Sequence, residues 1–467
     1  MQEIEAIPVS KLSIGHAIRA FALAAIAATL CPHIAHAQVA AAGVEVDSSG
    51  VLRTRMLNDT TGTLSKQWQA QAKARLGADL ATASPLRKVS LTRLERVIAQ
   101  RAANNQGIAE EMKFLAGLTR LQYVFFYPET GDIVLAGPAE GFAPDAAGRM
   151  LGIQSGRAVL ELQDVVTALR AYPPAGKQTQ IIAVSIDPTK EGLQKMQQFL
   201  VNISGRVQPG DANNIVAGLK ENLGLQNVTV RGISSKTHFA QVMVEADYRM
   251  KLIGIGIEQP PVKIVSYVDR ASPRDVSRNA LQRWYFTPNY ECVRVTEDKM
   301  AMELVGQGVK LIGENEMVNG DGSRAVAGGT VNRASEAFCT TFTQNYPQLA
   351  AKSAVYAQLK NLIDISIAAA YIQQQDFYGQ CNWKMDFFGN EESFPVETYE
   401  TPKQVETACI AIWKGKTLMT PVGGGVHIEP ADALIEENLL ADEQGEVKAL
   451  REKTTLDQLK ADEWWWD

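Results

Sequence analysis

Histidine and cysteine are scarce in this sequence. Five of each occur among 467 residues. An N-terminal segment described below holds three of the histidines, which leaves His238 and His427 for the rest of the chain. Two histidines, without a His-Glu-x-x-His sequence or a Cys-x-x-Cys pair, disfavour a zinc hydrolase of familiar type. The composition therefore predicts no metal site and no other cofactor.

Glycine-containing catalytic motifs are missing as well. The chain has no Gly-x-Ser-x-Gly sequence, which would place a nucleophilic serine at a strand-to-helix turn. It also has no Gly-x-Gly-x-x-Gly sequence, as a dinucleotide-binding unit requires. Neither a serine hydrolase of the common type nor a nucleotide-dependent oxidoreductase is predicted.

Excess positive charge and long apolar runs are also lacking. The chain carries 46 Lys and Arg against 52 Asp and Glu, a formal net charge of -6, which disfavours electrostatic binding to nucleic acid. Beyond the N-terminal segment no run of 18 apolar residues occurs. We therefore expect no nucleic-acid partner and no transmembrane span in the mature chain.

Residues 1–37 are typical of a secretory signal. Lys11 and Arg19 precede an apolar stretch from Phe21 to Leu30, and Ala35-His36-Ala37 offers small residues at both positions that signal peptidase reads. A membrane anchor is the alternative, but about ten apolar residues are too few to span the hydrocarbon of a bilayer. Cleavage after Ala37 predicts an exported protein of the periplasm or the cell surface.

Four cysteines remain after that cleavage. An oxidising compartment permits one or two disulfides among them, and three pairings are possible. The alternative is that all four are buried free thiols, which pack as small apolar residues. The residues are Cys292, Cys339, Cys381 and Cys409.

Hydrophobic periodicity predicts an α+β protein, with mixed α/β layers followed by a β-rich segment and a C-terminal helical region. The segment 238–246 fits either a helix or a strand. The predicted elements include a hairpin at 43–55, helices at 162–171 and 189–203, strands at 181–186 and 262–268, and a helical region at 334–375 broken at Tyr346-Pro347. The predicted organisation is a signal (1–37), a hairpin with helices (38–117), a mixed α/β domain (118–270), a β-rich segment with a helical hairpin (271–430) and an acidic tail (431–467).

His427 follows a run of three glycines, Gly423, Gly424 and Gly425. Exposed backbone N–H groups in such a run can form a nest that binds a carboxylate, a phosphate or an oxyanion, with the imidazole beside it. The alternative is a tight turn between strands followed by an ordinary histidine. His238 comes after Ser234-Ser235-Lys236-Thr237, and we interpret it as a loop or helix-start residue without a functional role.

Two aromatic segments are candidate binding surfaces. Arg283, Trp284 and Tyr285 could bind a glycan or a peptide by stacking and cation–π contact, or they could form a strand whose rings enter the core. The acidic tail has 11 Asp and Glu against four Lys and Arg, typical of a solvated helix or a disordered extension. Its final tryptophans, Trp464, Trp465 and Trp466, could dock into a partner or into a groove of the protein itself, or they could be a frayed end.

Three runs carry a family resemblance: LTRLQYVFFYPETGDIVLAGPAEGF (118–142), EADYRMKLIGIGIE (245–258) and PKQVETACIAIWKGKTLMTPVGGGVHI (402–428). They resemble an uncharacterised family of exported planctomycete proteins that carry a domain of unknown function. The resemblance spans most of the mature chain and implies export and a cell-envelope setting. It implies no activity, substrate or catalytic residue, and the acidic tail ending in Trp-Trp-Trp-Asp departs from it.

The sequence thus predicts an exported cell-envelope protein that binds another protein or an envelope polymer without catalysis. The alternative is a hydrolase of unfamiliar type that uses His427 and the Gly423–Gly425 loop, which requires a carboxylate and a nucleophile beside that histidine. A subunit of a larger assembly is a third possibility, for which an exposed apolar patch or an unpaired sheet edge would be the sign.

Overall fold

The computed structural model describes residues 41–47, 49–56, 63–145, 147–203, 208–272, 280–318, 321, 323–326, 332–410, 413–414, 417–418, 422–454, 456 and 459–467. The predicted signal at 1–37 lies outside these residues.

Helices and strands alternate irregularly along the chain, and the predicted α+β class is confirmed. The helices of the described residues are α1 Thr63–Arg75, α2 Ala78–Ala81, α3 Leu91–Ala103, α4 Glu110–Lys113, α5 Leu162–Ala171, α6 Lys190–Ile203, α7 Ala212–Leu223, α8 His238–Gly254, α9 Tyr267–Arg270, α10 Arg333–Lys352, α11 Ala354–Gln374, α12 Phe377–Gln380 and α13 Glu446–Glu452.

The strands are mostly short. Those of the described residues are β1 Ala41–Val46, β2 Val51–Met56, β3 Ser84–Ser90, β4 Tyr123–Tyr127, β5 Asp132–Ala139, β6 Phe142–Pro144, β7 Met150–Gly152, β8 Ile182–Asp187, β9 Leu225–Arg231, β10 Ala280–Pro288, β11 Val293–Val295, β12 Ala301–Leu304, β13 Val309–Val318, β14 Arg324–Val326, β15 Gln404–Glu406, β16 Trp413–Lys414, β17 Thr417–Leu418, β18 Val422–Ile428, β19 Leu439–Ala441 and β20 Trp465–Trp466.

Two large sheets organise these strands. The first has nine strands in the order β1-β2-β15-β9-β8-β18-β10-β13-β14, and the second has seven in the order β19-β11-β12-β4-β5-β3-β20. Most neighbours are antiparallel, but three pairs of the described strands are parallel: β18 with β10, β15 with β2 and β19 with β11. Residues 41–467 form one compact unit, in which strands from the predicted N-terminal, mixed and β-rich segments share the nine-stranded sheet.

Helices α8 and α11 form the interior of the molecule. Helix α8 packs on strands β8 and β18 of the nine-stranded sheet, and α11 packs on α5, α8 and α10. Almost every residue of α11 from Val355 to Ile372 is buried, because other elements surround it on all sides. No helix of the described residues combines the length and the apolar character that crossing a membrane requires.

Several predicted elements occur where periodicity placed them. Strands β1 and β2 form the predicted hairpin, and α5 has the predicted bounds of 162 and 171. The ambiguous segment after residue 237 is helical. Thr237 caps α8, since its side chain accepts a hydrogen bond from the backbone N–H of Ala240 at 3.2 Å.

Two predictions of local structure are wrong. The predicted strand at 262–268 is absent, because Ser266 starts helix α9 by accepting a hydrogen bond from the N–H of Asp269. Pro347 lies inside α10 and does not break it; the chain changes direction at Ser353. The flanking Tyr346 and Leu349 are 1% and 0% exposed, and their packing offsets the backbone hydrogen bond that proline cannot donate.

The acidic tail is folded, which corrects the prediction of a solvated or disordered extension. Strand β19 pairs with β11, and β20 pairs with β3 at the opposite end of the seven-stranded sheet. Helix α13 packs beside β12, with Val447 buried. Backbone pairing and a few apolar side chains therefore order a segment whose composition is mostly charged.

Candidate functional site

A cavity of about 480 Å³ lies at the N-terminal ends of α5 and α8. We name it the His238 cavity. Its polar lining comes from both helices, from the interior helix α11 and from the 394–399 segment. The residues used below are Arg149, Glu161, Gln163, His238, Glu245, Gln358 and Tyr399.

Local sequence positions the polar groups of this cavity. Glu161 precedes α5 in extended conformation, and Asp164 lies in the first turn of that helix. Because Thr237 caps α8, His238 becomes the first residue of α8. The positive ends of both helix dipoles favour the two carboxylates and disfavour a second positive charge at the histidine.

His238 lies between two carboxylates. Its Nδ1 is 2.9 Å from Asp164 Oδ2, within hydrogen-bond distance, and its Nε2 is 3.6 Å from Glu161 Oε1. The amide of Gln358 contacts the same Nε2 at 3.4 Å. The side chains of His238, Glu161 and Asp164 are 14%, 13% and 6% exposed, so the three groups interact with little water between them.

This arrangement changes the acidity of its members. Burial by itself lowers the pKa of His238, but Asp164 and Glu161 outweigh it and raise that pKa to about 9. Burial also raises the pKa of Glu161, against the opposing effect of His238. The two carboxyl groups therefore favour the charged form of His238, whereas burial disfavours the charged form of Glu161.

Oxygen atoms without partners surround this histidine. Gln163 Oε1, Asp164 Oδ1 and Gln358 Oε1 are buried and make no hydrogen bond within the described part of the chain. All three are acceptors, and Asp164 and Gln358 are each only 4% exposed. An unsatisfied buried polar atom costs about 1–3 kcal/mol. A group that satisfied these three oxygen atoms would donate hydrogen bonds or carry positive charge.

A second group of charged residues at the cavity differs from the His238 group, because its charges are paired with one another. Glu245 accepts from Arg149 Nη2 at 2.5 Å and lies 3.4 Å from Arg249. Arg249 also binds Glu258 at 2.7 Å. These groups form an ion-pair network beside the cavity, and we infer that they hold the side chains of its lining in place.

Tyr399 and its neighbours complete the rim. The ring of Tyr399 lies 5.9 Å from the imidazole of His238, and its hydroxyl is 3.3 Å from Gln163 Nε2. Gln163 Nε2 also donates to Glu161 Oε2 at 2.7 Å. The amide of Gln163 is thus held with its nitrogen toward these partners, which leaves its oxygen without one.

The chemistry available here is cation binding or proton exchange. A histidine with two carboxylates can hold a cation or move a proton. Among the described residues, no serine, threonine or cysteine lines the His238 cavity. A covalent mechanism based on such a nucleophile therefore has no support in this cavity.

The structure places the glycine run in a strand and not in a loop. Gly423, Gly424 and Gly425 belong to β18, which lies between β8 and β10 in the nine-stranded sheet. A Cβ on Gly424 would be 1.9 Å from the carbonyl oxygen of Trp284, so close strand packing accounts for the absence of a side chain. Backbone pairing on both sides of β18 leaves no anion-binding nest.

His427 lies on the same strand. Its ring packs on Tyr285 at 4.5 Å, and no hydrogen bond joins it to a carboxylate or a nucleophile of the described residues. Burial lowers the pKa of His427. The carboxylate and the nucleophile that the hydrolase hypothesis requires are therefore missing from the described surroundings of this histidine.

The aromatic segment on β10 is not an exposed binding surface. Trp284 and Tyr285 are 0% and 3% exposed, and Trp284 Nε1 donates to Ser335 Oγ at 2.9 Å. The guanidinium of Arg283 lies over the Tyr285 ring and binds Asp187 at 2.9 Å. Packing within the protein therefore accounts for the aromatic and arginine side chains of this segment.

The C-terminal tryptophans dock onto the protein itself. Trp465 and Trp466 form β20, and Trp464 is 5% exposed. Arg87 lies over the Trp465 ring at 4.6 Å and pairs with the side chain of Asp467 at 2.9 Å. Of the two docking hypotheses, the structure supports the groove of the protein itself.

The four cysteines are free thiols. Three of them, Cys292, Cys339 and Cys409, are buried, and Cys381 is half-buried. Burial raises the pKa of Cys292 and of Cys339 to about 12. They match the alternative of small apolar packing residues.

Sequence reasoning missed the His238 cavity. It dismissed His238 and did not consider Glu161, Asp164 or Gln358. The available signal was local: an acid at the start of a helix with a second acid three residues later, and a histidine directly after a threonine cap. What brings these pieces together is the contact of α5 with α8 and of both with α11, which no spacing in the sequence reveals.

Comparison with known proteins gave one match. The profile of a family described as a protein of unknown function (DUF1598) matches residues 184–267. No curated protein and no solved structure matches the chain. The matched segment runs from β8 through α8 and includes His238 and Glu245, whereas Glu161 and Asp164 precede it. Residues 184–267 of this chain thus carry a domain of unknown function.

Proposed function

We propose that this chain is an exported cell-envelope protein that binds, without catalysis, a ligand with a cationic group in the His238 cavity. The observation that carries the proposal is the set of three buried acceptor oxygens without partners around His238. A polar cavity with a few convergent polar groups is the usual form of a binding site.

The charged groups of the cavity support a cationic ligand. Two carboxyl groups, those of Glu161 and Asp164, flank a single histidine. Arg149 is paired with Glu245, and Lys113 is 4.0 Å from Glu397. A cationic group would pair with the two carboxyl groups and donate to the acceptor oxygens in the same step.

The apolar part of the lining suggests an organic body attached to that group. Phe114, Val242, Phe394 and the ring of Tyr399 line the cavity together with the charged residues. A volume of about 480 Å³ falls in the range of small-molecule sites. An amine on a small apolar body, or the end of an envelope polymer that carries an amine, has this chemistry.

A panel of simple ions tests the proposal. The chlorides of methylammonium and putrescine are compared with sodium acetate and sodium phosphate at equal ionic strength, with the melting temperature of the full chain as the readout. We expect the cations to raise the melting temperature of the wild type and to have less effect on Asp164→Asn. His427→Asn is the matched control, because that histidine lies outside the cavity, and it should respond like the wild type. A larger response to the anions would contradict the proposal.

Export has a separate test. Mass spectrometry of the native protein should find an N-terminus at Gln38, and an intact Met1 would contradict export.

A further inference from the structure

We propose that His238 Nε2 and Glu161 bind one divalent transition-metal cation in the His238 cavity, with Asp164 holding the imidazole by its other nitrogen. This inference rests on the proposed function, since it names the cation that the cavity takes.

The donor atoms have suitable spacing. One ligand atom from each of the three residues lies within 4.8 Å of the other two. His238 Nε2 and Glu161 Oε1 are 3.6 Å apart. Donors bound at about 2.1 Å to a tetrahedral metal are roughly 3.4 Å apart, so these two atoms need to move little.

Asp164 orients the histidine in this arrangement. Its Oδ2 accepts from Nδ1 of His238 and fixes the ring so that Nε2 faces Glu161. A carboxylate on the far nitrogen commonly orients a metal-binding histidine. Because Asp164 lies on the side of the ring away from Nε2, it supplies negative charge to the site without ligating the ion.

The charge balance favours a divalent ion. A metal takes the place of the proton on Nε2, which leaves a neutral imidazole and two carboxylates. Two negative charges and one divalent cation sum to zero. A buried site with no net charge avoids the cost of an uncompensated charge in a poorly solvated cavity.

The donor set favours zinc or manganese over calcium. Imidazole nitrogen suits transition metals, whereas calcium takes six to eight oxygen ligands. The carboxylate of Glu161 and one histidine supply fewer oxygens than that. Gln358, whose Oε1 has no partner, provides a further oxygen on the α11 side once its amide turns toward the ion.

The test titrates zinc chloride and manganese chloride into the full chain after treatment with a chelator, with isothermal calorimetry as the readout. We expect one ion per chain. His238→Asn should weaken zinc binding at least 100-fold. His427→Asn, which removes a histidine from strand β18, should bind zinc as the wild type does.

A second variant keeps the test decisive if His238→Asn fails to fold. Glu161→Gln retains the size of the side chain, and Glu161 makes no side-chain capping bond to α5 that the change could remove. We expect it to weaken zinc binding at least tenfold, with circular dichroism confirming the fold. Equal affinity in Glu161→Gln and the wild type would overturn the metal site and indicate an adventitious ion.

The outcomes separate this inference from the proposed function. If methylammonium and putrescine raise the melting temperature but neither metal binds, the metal site is wrong and the organic cation site stands. If neither the metals nor the organic cations bind, both proposals fail. If zinc binds in the wild type and is lost in the cavity variants, the metal site is supported. The proposed organic ligand is supported only if methylammonium or putrescine also raises the melting temperature of the wild type.

Discussion

Two clusters of buried charge differ in one respect: whether every polar atom has a partner. The first, which we name the Arg87 cluster, joins the fully buried Arg87 to Asp467 at the C-terminus. Nε and Nη2 of Arg87 donate to the two carboxylate oxygens of Asp467, each at 2.9 Å. The remaining donors reach backbone carbonyls of Asp79, Leu80, Thr82 and Ala116.

The His238 cavity has the opposite character. It also contains buried charged side chains, but three of its acceptor oxygens have no partner and a cavity lies beside them. A saturated cluster cannot accept a further group without breaking a bond that it already makes. The Arg87 cluster therefore holds the fold together, whereas the His238 cavity has the free acceptor atoms that the proposed function requires.

The largest expected effect on stability comes from a substitution that breaks the Arg87 cluster. Arg87→Met should lower the free energy of unfolding by about 3–5 kcal/mol, chiefly because four backbone carbonyls lose their donor at about 1 kcal/mol each. Asp467 contributes less to this loss, since its side chain is 43% exposed. Urea unfolding measures this change. Arg53→Met is the control, since the side chain of Arg53 is 51% exposed and its ion pairs should contribute less than about 1 kcal/mol. Equal losses in the two variants would contradict the distinction.

An intermediate effect is expected at Asp132, a second saturated carboxylate. It accepts from Ser90 Oγ at 2.5 Å and from Arg93 Nε at 2.8 Å. Although burial by itself raises the pKa of Asp132, the hydrogen bonds from Arg93 and Ser90 lower it overall. Asp132→Asn should therefore cost about 2–3 kcal/mol at pH 7.

The sign of the pH dependence follows from that lowered pKa. An acid whose pKa is lower in the folded than in the unfolded state stabilises the fold at pH values above its ordinary pKa of 3.8. This stabilisation is lost as the pH falls through the lower pKa of the folded state. The stability difference between wild type and Asp132→Asn should be constant from pH 5 to 7 and shrink below about pH 4. A difference that grows as the pH falls would contradict this assignment.

The smallest change in stability is expected for a substitution in the His238 cavity. Gln358→Leu removes a buried amide whose oxygen has no partner and whose nitrogen makes one 3.4 Å contact to His238, so the free energy of unfolding should change by less than about 1 kcal/mol. Binding of the organic cations should weaken about tenfold.

Asn361 on the same helix provides the matched control. Its amide donates to the carbonyl of Ala158 at 3.3 Å, and it is as buried as Gln358, at 5% against 4% exposed. Asn361→Leu should destabilise the fold by about 1–2 kcal/mol, because that carbonyl loses its donor. If Gln358→Leu costs as much as Asn361→Leu, the amide of Gln358 is structural.

Much of the fold could be predicted because its signals are local. The helices at 162–171 and 189–203 and the hairpin at 43–55 depend on neighbouring residues, and all three occur in the structure. Pro347 was misjudged because tertiary packing overrides its propensity to break a helix. The acidic tail was misjudged because its order comes from pairing with β3 and β11, which are distant in the sequence.

The candidate site could not be predicted for the same reason. Glu161 and Asp164 are more than 70 residues from His238, and Gln358 is a further 120 residues along the chain. Sequence reasoning favoured His427 because its glycine neighbours form a recognisable pattern. Those glycines instead serve the close approach of β18 to Trp284. The glycine pattern could be recognised in the sequence because it is local, whereas the His238 cavity is assembled from distant segments and has no such pattern.

Crystals of the full chain soaked in zinc chloride or in methylammonium chloride test the central claim most directly. The account predicts density for at least one of these cations in the His238 cavity, within coordination or hydrogen-bond distance of Glu161 and Asp164. Density for ordered water alone in both soaks, with water satisfying Gln163, Asp164 and Gln358, would contradict it.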